Sequence, residues 1–164
     1  MRYHRKPMPP LAAAPIAPHV RPLDPVLEFL RLLWSIEHGL QRRSKKMESE
    51  LGITGPQRLV LRVVGRYPDL SPGDLAQTLK LHPSTITGIL QRLVSKGLIE
   101  RRRDPTDTRR ARLRLKRGAA RHTKVTRGTI EQAVTAALKD AGPRNVRVGR
   151  QLLAEIARRM NALE

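Results

Sequence analysis

Residues 71–115 read SPGDLAQTLKLHPSTITGILQRLVSKGLIERRRDPTDTRRARLRL, and within this stretch the hydrophobic period changes once. As far as Val94 it is helical. Ser71-Pro72-Gly73-Asp74 supplies a cap, a first-turn proline and an acid three residues after the cap, so a short helix starts there and continues through Leu75, Ala76 and Leu79. After the link Leu81-His82, a second helix runs from Pro83 to about Lys96. Ile86, Ile89, Leu90, Leu93 and Val94 face inward on it, and Gly97 stops it. The period then drops to two. Leu98–Arg103 reads as a strand of mixed alternation and Asp104-Pro105-Thr106-Asp107 as a turn. Arg110–Leu115 reads as a strand with Ala and Leu on one face and Arg on the other. Two helices across a tight link, followed at once by a hairpin, make a winged helix-turn-helix by spacing.

Outward from this stretch the helical spacing resumes on both sides. Thr54-Gly55-Pro56-Gln57 puts Thr and Gln at capping-box spacing and opens a helix buried through Val60, Leu61, Val63 and Val64, which Tyr67-Pro68 ends. Before it, Asp24 caps a long helix with Pro25 at its first position. Its apolar residues Val26, Phe29, Leu30, Leu33, Ile36, Leu40, Met47 and Leu51 recur at helical spacing up to Gly52. Downstream, a helix is expected from about Lys116 to Asp140, weakened at Gly128 by about 1 kcal/mol relative to Ala. Ala141-Gly142-Pro143 breaks it. A last helix is expected to bury Val146, Leu152, Leu153, Ile156, Met160 and Leu163. Residues 1–23, with prolines at 7, 9, 10, 15, 18 and 22, read as a basic, flexible arm. The remainder, 24–164, reads as one domain. It comprises a DNA-binding lobe at 54–116 and dimerisation helices at 24–52 and 117–163. The fold class is mainly α with a small β-hairpin wing.

Composition narrows the function. The chain has 164 residues, and 33 Lys and Arg face 14 Asp and Glu, for a net charge of +19 and a pI near 11.7. A compact state repels itself at that charge, so an anionic partner is expected. Double-stranded DNA comes first, because neutralising phosphates releases condensed counterions, and an acidic membrane surface second. The hairpin carries the strongest bias: between Lys96 and Arg121 only Glu100, Asp104 and Asp107 oppose a dense run of Arg and Lys. There is no cysteine, which removes disulfides, thiol chemistry and Cys-ligated zinc. The five histidines lack metal-ligand spacing, and no phosphate loop, activated serine or carboxylate pair is present. The expectation is therefore a protein that is not an enzyme and uses no metal or cofactor. With no apolar run of transmembrane length, it is expected in the cytoplasm and not in a membrane.

The candidate DNA contacts lie on the 83–96 helix and the hairpin. Ser84, Thr85 and Thr87 are small hydroxyl residues near the helix start, where they allow close approach to base edges and where free N–H groups favour phosphate. Gln91 suits adenine, and Arg92 suits guanine or phosphate. The competing readings are helix capping for Ser84 and Thr85, and a structural salt bridge for Arg92. Arg109 stands at the wing tip for the minor groove, with Arg110 and Arg112 lower on the hairpin for phosphates.

The run Thr54-Gly55-Pro56-Gln57, Asp74-Leu75-Ala76, Ser84-Thr85-Ile86-Thr87, Leu93–Ile99 and Asp104–Ala111 resembles the MarR family of bacterial transcriptional regulators. The resemblance covers roughly residues 54–118, with Gly88 where an Arg often stands. It implies a homodimer formed by the first and last two helices, with recognition helices in successive major grooves of a pseudo-palindromic operator. It also implies Arg109 as the wing-tip arginine, held by Asp107. Repression, with release by a small phenol or aromatic acid, is the family pattern. Trp34, His38 and Arg42, at helical spacing, are candidates to line an effector pocket. The competing reading of that triplet is a buried structural Trp beside a solvated His and Arg. A second reading of the whole chain is an architectural winged-helix protein that binds nucleic acid without sequence preference.

Overall fold

The computed structural model describes residues 21–103, 111–124 and 128–162. Its elements are α1 (Pro25–Leu51), α2 (Gly55–Arg66), α3 (Pro72–Leu79), α4 (Pro83–Ser95), β1 (Ile99–Arg103), β2 (Ala111–Leu115), a 3₁₀ turn (Arg117–Ala119), α5 (Ala120–Thr123) and α6 (Ile130–Asn161). Residue contacts divide the chain into two units, one up to Ile36 and one from Glu37 onward, and each is taken by itself.

In the first unit α1 starts where its cap dictates. Asp24 Oδ1 accepts the amides of Val26 at 2.9 Å and Leu27 at 3.1 Å, which satisfies donors that a helix start leaves without partners. The apolar stripe that follows is uncovered. Val26, Phe29, Trp34 and Ile36 are all exposed, and Trp34 keeps 66% of its surface, so it is not a buried structural tryptophan within the single chain.

The second unit builds its core where α2, α3, α4 and the hairpin root meet. Leu61, Leu75, Leu90, Leu93 and Leu113 are fully buried there with Ile53, Ile86 and Ile99, each worth about 1.5–3 kcal/mol of transfer free energy. Both capping boxes form as their spacing dictates, Thr54 with Gln57 and Ser71 with Asp74. The link between α3 and α4 turns on Lys80 in the left-handed region (φ 51°), with the Leu81 amide donating to Ala76 O at 3.1 Å. The strands pair antiparallel from Ile99 opposite Leu115 to Arg103 opposite Ala111. Leu113 also exchanges backbone bonds with Asp69 and Leu70, which adds a short third edge beside β2.

Three expectations need correction. The helix expected from 116 to 140 is not continuous: the 3₁₀ turn and α5 bury Ala119 and His122, and α6 begins only at Ile130. Gly128, at φ +83°, holds a conformation that a helix cannot contain, so it is a break and not a weak point. The Gly128 amide donates to Gln132 Oε1 at 2.7 Å, and Thr129 is the N-cap. Thr129-Ile130-Glu131-Gln132 has capping-box spacing, but the Gln132 side chain takes the Gly128 amide in place of the Thr129 amide. The break at Gly142 is present (φ 74°, ψ 162°) as a kink inside α6. The last helix does not bury its stripe in the single chain, since Leu152, Leu153 and Met160 are exposed and no residue of α6 is buried. Val94, expected to face inward, is 40% exposed, because Ile86, Leu90 and Leu93 already fill the seam.

Candidate nucleic-acid interface

The outer face of α4 is built by what its inner face must bury. With Ile86, Leu90 and Leu93 committed to the core, helical spacing turns Ser84, Thr85, Thr87, Gln91 and Arg92 to solvent, and all five are exposed. Neither α4 nor its flanks, from Leu81 to Gly97, contain an acid. Arg92 makes no ion pair among the described residues, so its guanidinium is available to a base or a phosphate.

The start of α4 differs from the capping reading of Ser84 and Thr85. His82, not Ser84 or Thr85, is the N-cap: its Nδ1 accepts the Ser84 amide at 3.3 Å and lies 2.7 Å from Ser84 Oγ. Thr87 donates its hydroxyl to Pro83 O at 2.9 Å, which leaves its methyl and an oxygen lone pair for a partner. Gly88 sits mid-helix on the same side, and a Cβ added there would meet nothing within 4 Å. Packing therefore does not require the glycine. What it provides is a surface that another molecule can approach closely.

The hairpin gathers positive charge. Arg102 stands opposite Arg112 in the strand register, an arrangement that like charges disfavour. The described acids nearby are already engaged: Glu100 lies 2.7 Å from Arg102 Nε, and Asp69 is held by Arg114. Arg112 itself is half-buried on β2, while Arg101 and Arg103 are exposed. Arg109, Arg110 and Asp107 lie outside the described residues, as does the turn that joins the strands.

Behind this face a buried charge cluster ties the lobe to α6. Arg58, 1% exposed, donates from Nε to Glu131 Oε1 at 2.9 Å and from Nη2 to the Lys124 carbonyl. Arg62 approaches the same carboxylate oxygen at 3.4 Å. Burial alone would raise the Glu131 carboxyl, but its own backbone amide and the two guanidinium groups outweigh that and hold it below the ordinary range. His122 is buried beside them. Desolvation first, and then the charges of Arg121, Arg58 and Lys96, push its imidazole below the usual histidine value, so it stays neutral. Lys96, at the end of α4, donates to the Gly52 carbonyl just past α1. Composition counted Lys96 and Arg58 only as charge, and nothing in the spacing marked either as structural.

His38 and Arg42 are exposed on α1. No helix among the described residues is long and apolar enough to cross a membrane.

Comparison with known proteins agrees with this geometry. Residues 51–110 match the family model described as MarR family. An HTH-type transcriptional regulator of Bacillus subtilis, YsmB, is 28% identical over 95 residues, or 58% of this chain, and the chain spans only 65% of that relative's length. The PcaV transcriptional regulator of Streptomyces coelicolor, solved with its natural ligand, is 26% identical with a TM-score of 0.67, covering 88% of this chain and 100% of PcaV. A single-site variant of MarR from E. coli complexed with operator DNA is 26% identical with a TM-score of 0.63, covering 80% of this chain and 94% of the other.

Proposed function

We propose that this chain, whose residues 51–110 match the MarR family model, is a cytoplasmic, sequence-specific DNA-binding repressor acting as a homodimer. One observation carries this reading. The exposed face of α4 is polar, acid-free and open at Gly88, and a hairpin whose described acids are already paired follows it directly.

In this reading the start of α4 enters the major groove. Thr85 and Gln91 contact base edges, while Ser84, held by His82, presents the helix N-terminus to a phosphate. Thr87 lends its methyl to a base edge and Arg92 reads guanine or grips the backbone. Arg110 and Arg112 meet phosphates, and Arg109, aligned by Asp107, enters the minor groove. The uncovered apolar stripes of α1 and α6 support a partner subunit, since exposed apolar surface of this extent marks an interface. Two recognition helices related by a two-fold axis ask for a pseudo-palindrome with half-site centres about 10 bp apart. A regulator related to this chain has been solved with its natural ligand, which supports release by a small effector here.

The test is a salt-titrated binding series on operator candidates and random duplexes. A regulator holds a specificity ratio of about 10³ or more across the series. A ratio near one at every salt concentration rejects it in favour of the architectural reading.

A further inference from the structure

An open cleft of about 520 Å³, to which no residue of α4 contributes, lies between the C-terminal turn of α2, the end of β2 and α5. Arg62, Arg66, Lys116 and Arg117 line it, and it has no acidic residue in its wall. Leu115 and Ala120 supply an apolar floor. Gly65 lies against this floor: a Cβ there would stand 2.9 Å from Leu115 Cδ1 and displace the leucine tip.

Four cations around one hollow repel one another, and Arg66, Lys116 and Arg117 make no side-chain ion pair among the described residues. Deeper in, Arg62 Nη1 makes no hydrogen bond and is held only by an ion pair 3.4 Å from Glu131 Oε1, and Arg62 also lines the cleft. That carboxylate holds Arg62 only by a long contact and the side chain is partly exposed, so an acceptor brought to its open edge gains a charge-assisted hydrogen bond.

We propose that this cleft binds a small, multiply charged organic anion, a phosphate monoester or a di- or tricarboxylate, whose charged end meets Arg62, Arg66, Lys116 and Arg117 and whose carbon skeleton rests on Leu115 and Ala120. Planar guanidinium forks match the paired oxygens of carboxylate and phosphate alike. A single negative charge leaves most of the four cations uncompensated, which is why the anion carries two or more. The DNA backbone is the other source of such oxygens. The cleft, however, sits at the Leu115 end of the ladder, a strand's length of roughly 16 Å from the turn between the strands. The binding stands independently of the DNA reading. Arg62 is shared between this cleft and Glu131 of α6, so the anion competes with Glu131 for one guanidinium.

Isothermal titration of the full-length protein at fixed ionic strength tests the site, with citrate, glucose 6-phosphate and benzoate as probes. Citrate or the sugar phosphate binds with saturable heat and benzoate at least about tenfold more weakly, as expected for the loss of one or more charge-assisted hydrogen bonds. Arg66→Gln with Arg117→Gln, both at exposed positions, lowers that affinity by about tenfold or more. Ala120→Leu fills the floor and weakens glucose 6-phosphate binding without altering charge. Equal heats for benzoate, or binding unaffected by either variant, overturn the proposal. Random-duplex affinity is measured on the same variants without anion: a loss there matching the loss of citrate binding makes the cleft a DNA-backbone contact and also overturns it. The specificity ratio for operator DNA is read separately, so failure of the regulator reading is distinguishable from failure of this one.

Discussion

Asp69 and Arg114 are joined by a two-point fork, Arg114 Nε and Nη2 each 2.7 Å from a different oxygen of the Asp69 carboxylate. Asp69 itself sits at φ 69°, a left-handed conformation that few side chains tolerate, and its amide donates to Leu113 O at 3.1 Å. The turn after α2 is thus fastened to β2 by both backbone and side chain, and the hairpin is held at its root. The hydrogen bonds from Arg114 come first in holding the Asp69 carboxyl below its ordinary value, with the charges of Arg114, Arg112 and Arg102 adding to them. A depressed carboxylate contributes stability above its unfolded value of about 3.9 and loses it only as pH falls through the folded value. The fork therefore persists throughout the neutral range.

Replacing Asp69 separates its two roles. Asp69→Gly loses the fork but accepts the positive φ, whereas Asp69→Ala loses the fork and strains the backbone as well. Calorimetry should place the Ala variant about 2–8 °C below the Gly variant, the effect of roughly 1–2 kcal/mol of left-handed strain in a domain of this size. Equal melting temperatures contradict the positive φ.

The Arg58–Glu131 pair should behave as a buried charge and not as surface decoration. Glu131→Ala leaves the fully buried Arg58 guanidinium without its carboxylate and should cost about 3 kcal/mol. The double change Arg58→Met with Glu131→Leu should recover most of that loss. A double variant no more stable than Glu131→Ala would place the effect elsewhere.

His122 makes stability depend on pH. Its imidazole is held below the usual value, so below about pH 6.5 the unfolded chain takes up a proton that the folded chain refuses. Stability should be complete above that pH and decline as pH falls toward the folded value. His122→Gln, unable to take up that proton, should flatten the slope between about pH 7 and 5 in chemical denaturation. An unchanged slope assigns it to other groups.

On DNA, Thr85→Ala and Gln91→Ala should each cost on the order of 1–3 kcal/mol against the best operator and little against random duplex. Arg112→Ala should weaken all sequences alike and lower the salt slope by about one. Equal losses on specific and random DNA for Thr85→Ala would move that residue to the backbone class.

Gly88 offers a test in which stability and function part. Gly88→Ala adds a Cβ into open space on a helix, so it should raise stability by about 1 kcal/mol. The same methyl intrudes where the operator approaches, so specific affinity should fall. Unchanged operator affinity in a more stable variant shows that DNA does not come close there.

The periodicity of the chain was sufficient for the local architecture as far as Leu115, but not for the break at Gly128. The caps at Asp24, Thr54 and Ser71, the change of period at Leu98 and the break at Gly142 are all present, because each depends on residues a few positions apart. The outward set Ser84, Thr85, Thr87, Gln91 and Arg92 was legible for the same reason, since burying one helical stripe exposes the opposite one. Tertiary structure decided what depends on partners distant in the chain. Arg58 and Glu131 lie 73 positions apart, Asp69 and Arg114 45 apart, and Lys96 and Gly52 44 apart, so no local pattern could pair them. Nor could a stripe reveal what covers it: α6 has the apolar spacing of a buried helix yet is exposed in the single chain, because periodicity records that a face is to be buried and not what will bury it.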